Sequence, residues 1–266
     1  SWLICDAADQ TTIRAKYQKA WQQIATRFQA YDQRLILESM NENFDGQYGN
    51  PTQPCYSNIN SYNQIFVDTV RQARGNNNVR WLLVPGWNTN IDYTAGDYGF
   101  VIPTDNHRSS SIPSNEQRLM ISVHYYSPWD FAGEENGTIT QWGAGATNAS
   151  KKSTWGQEDY MHSQLKKTYD KFVTRGYPVV VGEYGAIDKS SHDSANNRSF
   201  LAEQISSTQN GSSIWFVARN DKLPFFDDIG LALMPAGPKE QSLLVGTNHY
   251  VIPKYSKSVD GAKELL

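Results

Sequence analysis

The chain has 266 residues, a net charge of -3 and 12% aromatic residues, with an isoelectric point near 6.0. That length suits one large core, such as a single α/β barrel, and Lys and Arg are spread along it, so nothing suggests a nucleic-acid or acidic-membrane surface. No apolar run approaches membrane-spanning length and no signal peptide precedes Ser1, so the expectation is a soluble mature domain or a piece of one.

From Thr11 to Ala30 the apolar positions Ile13, Tyr17, Ala20, Trp21, Ile24 and Phe28 fall three and four residues apart, a helical stripe that packs on a sheet. Leu35 to Met40 reads as a strand closed by Asn41-Glu42-Asn43, and a polar loop rich in Gly, Pro and Asn is expected from Asp45 to Ile59, carrying Cys55. A second helix spans Ser61 to Arg74. Val79 to Val84 is the next strand, leading into a turn, Pro85 to Asn90, that holds Trp87. Ile91 to Gln117 reads as irregular. Arg118 to Tyr126 forms a third strand ending in an imidazole and two phenols, His124, Tyr125 and Tyr126. A long loop with Trp129, Trp142 and Trp155 follows, then a helix from about Gln157 to Arg175.

Pro178 to Ala186 is the most informative stretch. Three consecutive valines, Val179 to Val181, mark a strand buried on both faces, as in parallel sheets. It ends on Glu183, flanked by Gly182 and Gly185 that let the backbone turn out and leave the carboxylate at the strand's carboxyl end, where parallel α/β folds keep their chemistry. Beyond Ser190 the pattern weakens to a helix over Ser199 to Thr208, a strand over Ser212 to Val217 with Trp215, and short strands near Ile229 to Leu233 and Ser242 to Val245. Strand, polar turn and helix alternate four times, which predicts βα units with right-handed crossovers in one domain.

Two carboxylates at separate strand ends suit glycosidic cleavage, which needs one carboxyl as acid and another as nucleophile or base. Asn41 can bond a sugar hydroxyl, and a tyrosine near Glu183 can hold it ionised through a hydrogen bond to the charged form. Ordinary roles exist for each: Asn41 as a strand-end cap, His124 as an interior histidine, Tyr126 as packing. Four strands that all end in matching polar groups favour the functional reading. The five histidines have no ligand-like spacing, so neither a metal nor another cofactor is implied. Cys5 and Cys55 can form one bridge.

Leu35 to Asn43 (LILESMNEN), Val123 to Trp129 (VHYYSPW) and Val180 to Ala186 (VVGEYGA) resemble the Asn-Glu, His-x-Tyr and Gly-Glu motifs of glycoside hydrolase family 5 endoglucanases, of the cellulase and xyloglucanase branch from rumen and gut microbes. The resemblance covers roughly Ser1 to Asn197. It implies a (β/α)8 barrel of TIM type, secretion, and a retaining endo-β-1,4-glucanase in which Glu42 is the acid/base and Glu183 the nucleophile. By the same likeness Asn41 binds the substrate 2-hydroxyl, His124 and Tyr126 are hydrogen-bonding partners, and Trp87, Trp129 and Trp215 are candidate sugar platforms. The expected partner is a β-glucan, with no nucleic acid or membrane.

Three departures stand out. Asn43 occupies the place where the family usually has Pro after Asn-Glu. Ser1-Trp2-Leu3 resembles the loop after the third family strand, so the expectation is a partial barrel, strands four to eight. The text from 198 to 266 diverges. An incomplete barrel would expose strand edges and favour self-association, which leaves two rival readings: a catalytically impaired barrel that only binds β-glucan chains, and a metal hydrolase using Glu42, His124 and Glu183 as ligands.

Overall fold

The computed structural model describes residues 2–32, 34–43 and 51–212. The chain falls into two compact units, one holding residues up to His124 with Ser163–Val181, the other Tyr125–His162 with residues from Gly182 onward.

In the first unit, α1 (Gln10–Phe28) starts at Asp9, whose carboxylate accepts a hydrogen bond from the Thr12 N–H at 3.0 Å, satisfying one of the unpaired donors of the first turn. Tyr17, Trp21 and Ala25 form its buried stripe. The strand expected over Leu35 to Met40 is shorter, with β1 limited to Leu37–Glu38. Helix α2 (Gln53–Gln72) starts well before the expected Ser61 and takes in Cys55, where a loop is expected. Cys55, Ile59, Tyr62, Phe66 and Val70 are all buried at helical spacing, but the interleaved Asn and Ser residues read locally as loop text. Tertiary partners resolve the conflict: the Asn63 amide donates to the Pro85 carbonyl at 2.8 Å.

Strand β2 (Leu82–Asn90) runs through the positions expected to form a turn, and the short helix α3 (Ile91–Ala95) follows it inside the stretch read as irregular. Strand β3 is Leu119–Tyr125. The sheet order is β1-β2-β3-β4, where β4 is Val179–Tyr184. β1 pairs with β2, and β2 with β3, in parallel, while the Ile121 N–H bonds the Pro178 carbonyl at the entry to β4 at 2.8 Å. Of the three valines of β4, Val179 and Val181 are buried and Val180 is half-buried, so the strand alternates where burial on both faces is expected.

The register of β2 breaks between Pro85, opposite Ser122, and Asn90, opposite His124. Five steps on β2 are thus matched to two on β3, and the excess chain bulges out with Asn88 and Thr89 in the left-handed region at φ 52° and 50°. Two buried arginines brace the opposite ends of these strands. Arg71 makes a two-pronged ion pair with Asp105 at 2.8 and 2.9 Å. Arg80, fully buried, donates to the carbonyls of Phe28, Tyr31, Asp32 and Leu35, gathering the end of α1 and the approach to β1.

The second unit contains α4 (Trp129–Ala132) and the loops that follow it. Helix α5 (Glu158–Lys171) starts in this unit and ends in the first. Helix α6 (Arg198–Ser212) runs past the expected Thr208 and takes in Ser212. The strand expected beyond it, with Trp215, lies outside the described residues, as do the two short strands expected later. The long aromatic loop is ordered by polar ties: Gln141 and Thr140 both donate to the Asp193 carboxylate, at 2.9 and 2.5 Å, and the buried Lys189 donates to the carbonyls of Asp130 and Ile139 at 2.7 and 2.8 Å.

Candidate active site

In the first unit, Glu42 stands four residues beyond the last residue of β1, past the carboxyl end of that strand. Its Oε1 lies 2.8 Å from Nδ1 of His124, the imidazole being almost fully buried and the carboxylate about one-third exposed. His124 is fixed because it is part of β3, opposite Asn90 of β2. A second carboxylate lies inside the sheet: Glu38 of β1 accepts from the Ser122 hydroxyl at 2.6 Å. Ser39, next in the chain, is held by the Tyr17 hydroxyl, which donates to its carbonyl at 2.6 Å. Burial pushes the Tyr17 phenol well above its usual value, so it stays a neutral donor. Asn41 is exposed just before Glu42.

In the second unit, Glu183 is the penultimate residue of β4 and is partly buried. The Tyr126 hydroxyl donates to its Oε2 at 3.0 Å. Of the two flanking glycines, only Gly185 adopts positive φ, at 145°; Gly182 continues the strand, so the chain leaves the sheet after Tyr184, not before Glu183. Trp129 is 62% exposed, its ring lying so close over Gly133 that a Cβ there would collide with it. Trp155, not singled out as a platform in the sequence, is 47% exposed. Trp142 is buried and donates through its indole N–H to the Gly156 carbonyl at 2.7 Å.

The aromatic residues are therefore of two kinds. Trp129 offers an open face of the sort a sugar ring stacks on. Trp87, expected on the rim, is 3% exposed and meets Tyr93 edge-on, with ring centres 4.9 Å apart; the bulge of β2 turns its indole into the core of the first unit. Trp215 lies outside the described residues. Glu38 carries no local mark of its bond, since it is half-buried in a run whose Ile36 is 45% exposed. The partner is on β3, two strands away, which no local pattern reveals.

Each carboxylate singled out in the sequence thus lies toward the carboxyl end of a strand, where (β/α)8 enzymes carry their chemistry, and hydrogen-bonds a side chain within its own unit, His124 for Glu42 and Tyr126 for Glu183. The family model described as cellulase, glycosyl hydrolase family 5, matches residues 2–221, and the chain belongs to that family; its described strands are part of a TIM-type barrel. The match continues past Asn197, where the recognisable motifs end. Among relatives, Endoglucanase A of Paenibacillus barcinonensis is 69% identical over 210 residues, covering 78% of this chain and 52% of that protein. The family 5 xyloglucanase from Paenibacillus pabuli, solved with a ligand, is 66% identical with a TM-score of 0.76, covering 79% of this chain and 59% of that one. A Bacteroides ovatus family 5 xyloglucanase, solved with a heptasaccharide, is 30% identical with a TM-score of 0.61, covering 81% and 44%. The chain spans about half the length of the relatives it matches.

Proposed function

We propose that the chain carries the acid/base and nucleophile of a secreted, retaining endo-β-1,4-glucanase acting on cellulose-type or xyloglucan-type β-glucans. The observation that carries this reading is that each strand-end carboxylate is hydrogen-bonded by a side chain, Glu42 with His124 at 2.8 Å and Glu183 with Tyr126 at 3.0 Å. In the proposed reaction Glu42 protonates the leaving glycosidic oxygen while the Glu183 carboxylate attacks the anomeric carbon. The Tyr126 hydroxyl keeps that carboxylate oriented, and Glu42, now ionised, then takes a proton from the water that releases the glycosyl-enzyme. Such a mechanism requires the two carboxyls about 5 to 5.5 Å apart. Trp129 supplies a stacking platform and Asn41 a bond to a sugar hydroxyl. The relatives' names support a β-glucan substrate, and the Cys5–Cys55 disulfide supports an oxidising, extracellular setting.

Azide separates the two roles. With Glu42→Ala, an aryl β-cellobioside and azide should give the β-glycosyl azide, because the enzyme-bound intermediate still forms on Glu183 and azide intercepts it. With Glu183→Ala the product should be the α-glycosyl azide, formed by one direct displacement. The same anomer from both variants, or substantial glucan hydrolysis by either without azide, would overturn the assignment. Binding of cello-oligosaccharides by the unaltered chain without release of reducing sugar would favour the binding-only alternative.

A further inference from the structure

Glu42 has little regular backbone behind it. The β1 ladder ends with the Ser39 N–H bonding the Leu83 carbonyl at 2.9 Å, and the next backbone anchor is Asn43, whose carbonyl accepts from the Asn88 N–H at 2.8 Å. Asn88 and Thr89 have positive φ, a conformation that is costly for a β-branched residue, so the bulge that grips Asn43 is itself maintained by its surroundings.

The Asn43 side chain supplies a second anchor. It is buried, and Nδ2 donates to the Leu3 carbonyl at 2.6 Å, whereas Oδ1 is buried with no hydrogen-bond partner among the described residues. Among the described residues the contribution of this amide is therefore its bond to the N-terminal segment. That segment is fastened two residues on. Cys5 is disulfide-bonded to Cys55 in the first turn of α2, the Asn58 amide donates to the Cys5 carbonyl at 2.7 Å, and Gln10 donates to the carbonyls of Ile4 and Ala7 at 3.0 and 2.8 Å. Both sulfurs belong to fully buried residues.

We propose that Asn43 is a positioning residue for Glu42, anchoring it to an N-terminal segment that the Cys5–Cys55 disulfide holds against α2. This rests on the acid/base assignment of Glu42. A proline at this place would stiffen the chain through its own ring; Asn43 achieves the same end through a tether. A general acid must lie within hydrogen-bond reach of the oxygen it protonates, and its placement matters in proportion to how poor the leaving group is. Loss of the tether should therefore impair only substrates that need the proton.

The test compares kcat/KM of the full chain on phenyl and 2,4-dinitrophenyl β-cellobiosides. Asn43→Ala, and separately Cys5→Ser combined with Cys55→Ser, should lower the phenyl value by about tenfold to a hundredfold, the scale of a small misplacement, and leave the dinitrophenyl value nearly unchanged. Asn43→Asp, which keeps the shape and loses the donor, should behave likewise if the alanine variant fails to fold. Equal losses on both substrates, or none on either, would overturn the proposal. Glu42→Gln serves as the reference: if it shows no selective loss, the acid/base assignment itself fails, whereas selective loss in Glu42→Gln but not in Asn43→Ala defeats the tether alone. Should the unaltered chain show no turnover, the Nδ1 nitrogen resonance of His124 decides, since that atom makes the bond to Glu42. It should move in Asn43→Ala and in the double serine variant, and an unmoved resonance would refute the tether.

Discussion

Glu42 and Glu183 are held by different means. Glu183 is part of β4, so the strand fixes its backbone, and one phenol from Tyr126 orients its carboxylate. Glu42 stands beyond a strand of only two residues and depends on side chains for its place: His124 on its carboxylate, Asn43 behind it, and Tyr17 and Arg80 on the segments leading to it. Where the ladder is short, tertiary polar contacts replace it. Such contacts are individually modest, so the Glu42 side should be the more easily disturbed of the two.

The comparison is sharpened most by removing each carboxylate. Glu183→Ala should abolish turnover of both glucan and 2,4-dinitrophenyl β-cellobioside, because no activated leaving group replaces a missing nucleophile. Glu42→Ala should cost about 10² to 10⁴ in kcat/KM on glucan, the usual worth of general acid–base help, while the dinitrophenyl substrate is spared. Steady-state kinetics on the two substrates checks both, and similar profiles for the two variants would erase the distinction between acid and nucleophile.

Next in size is the brace behind β1. Arg80→Met removes a fully buried guanidinium that donates to four carbonyls from Phe28 to Leu35. Each buried acceptor left unpaired costs about 1 to 3 kcal/mol, so urea unfolding should show a loss of at least about 3 kcal/mol. If the comparison holds, substrates that need the Glu42 proton should suffer before full unfolding, with the dinitrophenyl substrate affected later along the urea series. Simultaneous loss of both activities would mean that Arg80 supports the two sides alike.

A smaller effect separates the immediate partners. His124→Ala should lower kcat/KM on glucan by about tenfold to a hundredfold, since hydrogen bonds to charged groups are worth about 1.5 to 3 kcal/mol. Tyr126→Phe leaves the ring in place and removes one hydroxyl, so its loss should lie at the lower end of that range. The variants differ in kind as well: the histidine change should act on substrates with poor leaving groups and the tyrosine change on both classes. A tyrosine variant with selective loss would place Tyr126 with the acid and not the nucleophile.

The Glu183 side was the more legible from sequence, and for the same physical reason. Three valines and a glycine-bounded carboxylate are local signals, and β4 follows them within a residue or two. The Glu42 side rests on partners far away in the chain: Leu3 lies forty residues before Asn43, and Cys55 fifty after Cys5. Residues 53–59 read as a loop because Asn, Ser and Pro punctuate them, yet they are helical since Asn58 and Cys55 find partners near the N-terminus. Trp87 has the same lesson. Its place after a strand suggested a rim, and only the three-residue excess of the β2 bulge against β3 shows why it turns inward.

Acid should probe the support behind Glu183 at its weakest point. After β4 the chain is tied back by Asp193, whose carboxylate accepts from Thr140, Gln141 and the Ala195 N–H. These bonds, the Thr140 hydroxyl first, hold its carboxyl below the ordinary value of 3.8. In the unfolded chain the group takes up its proton at that ordinary value, so the stabilisation is fully present above it and fades as pH falls through the lower folded value. Asp193→Asn should therefore melt below the unaltered chain by a constant few degrees or less between about pH 5 and 7, and the gap should narrow as pH falls below that ordinary value. The group is only partly buried, and screening by solvent keeps the effect small. Thermal melts of the two proteins across that range measure it. A gap that does not narrow at all as the pH is lowered would show that the aspartate shapes the loop by packing and not by its charge, leaving the tie behind Glu183 as insensitive to acid as the disulfide behind Glu42.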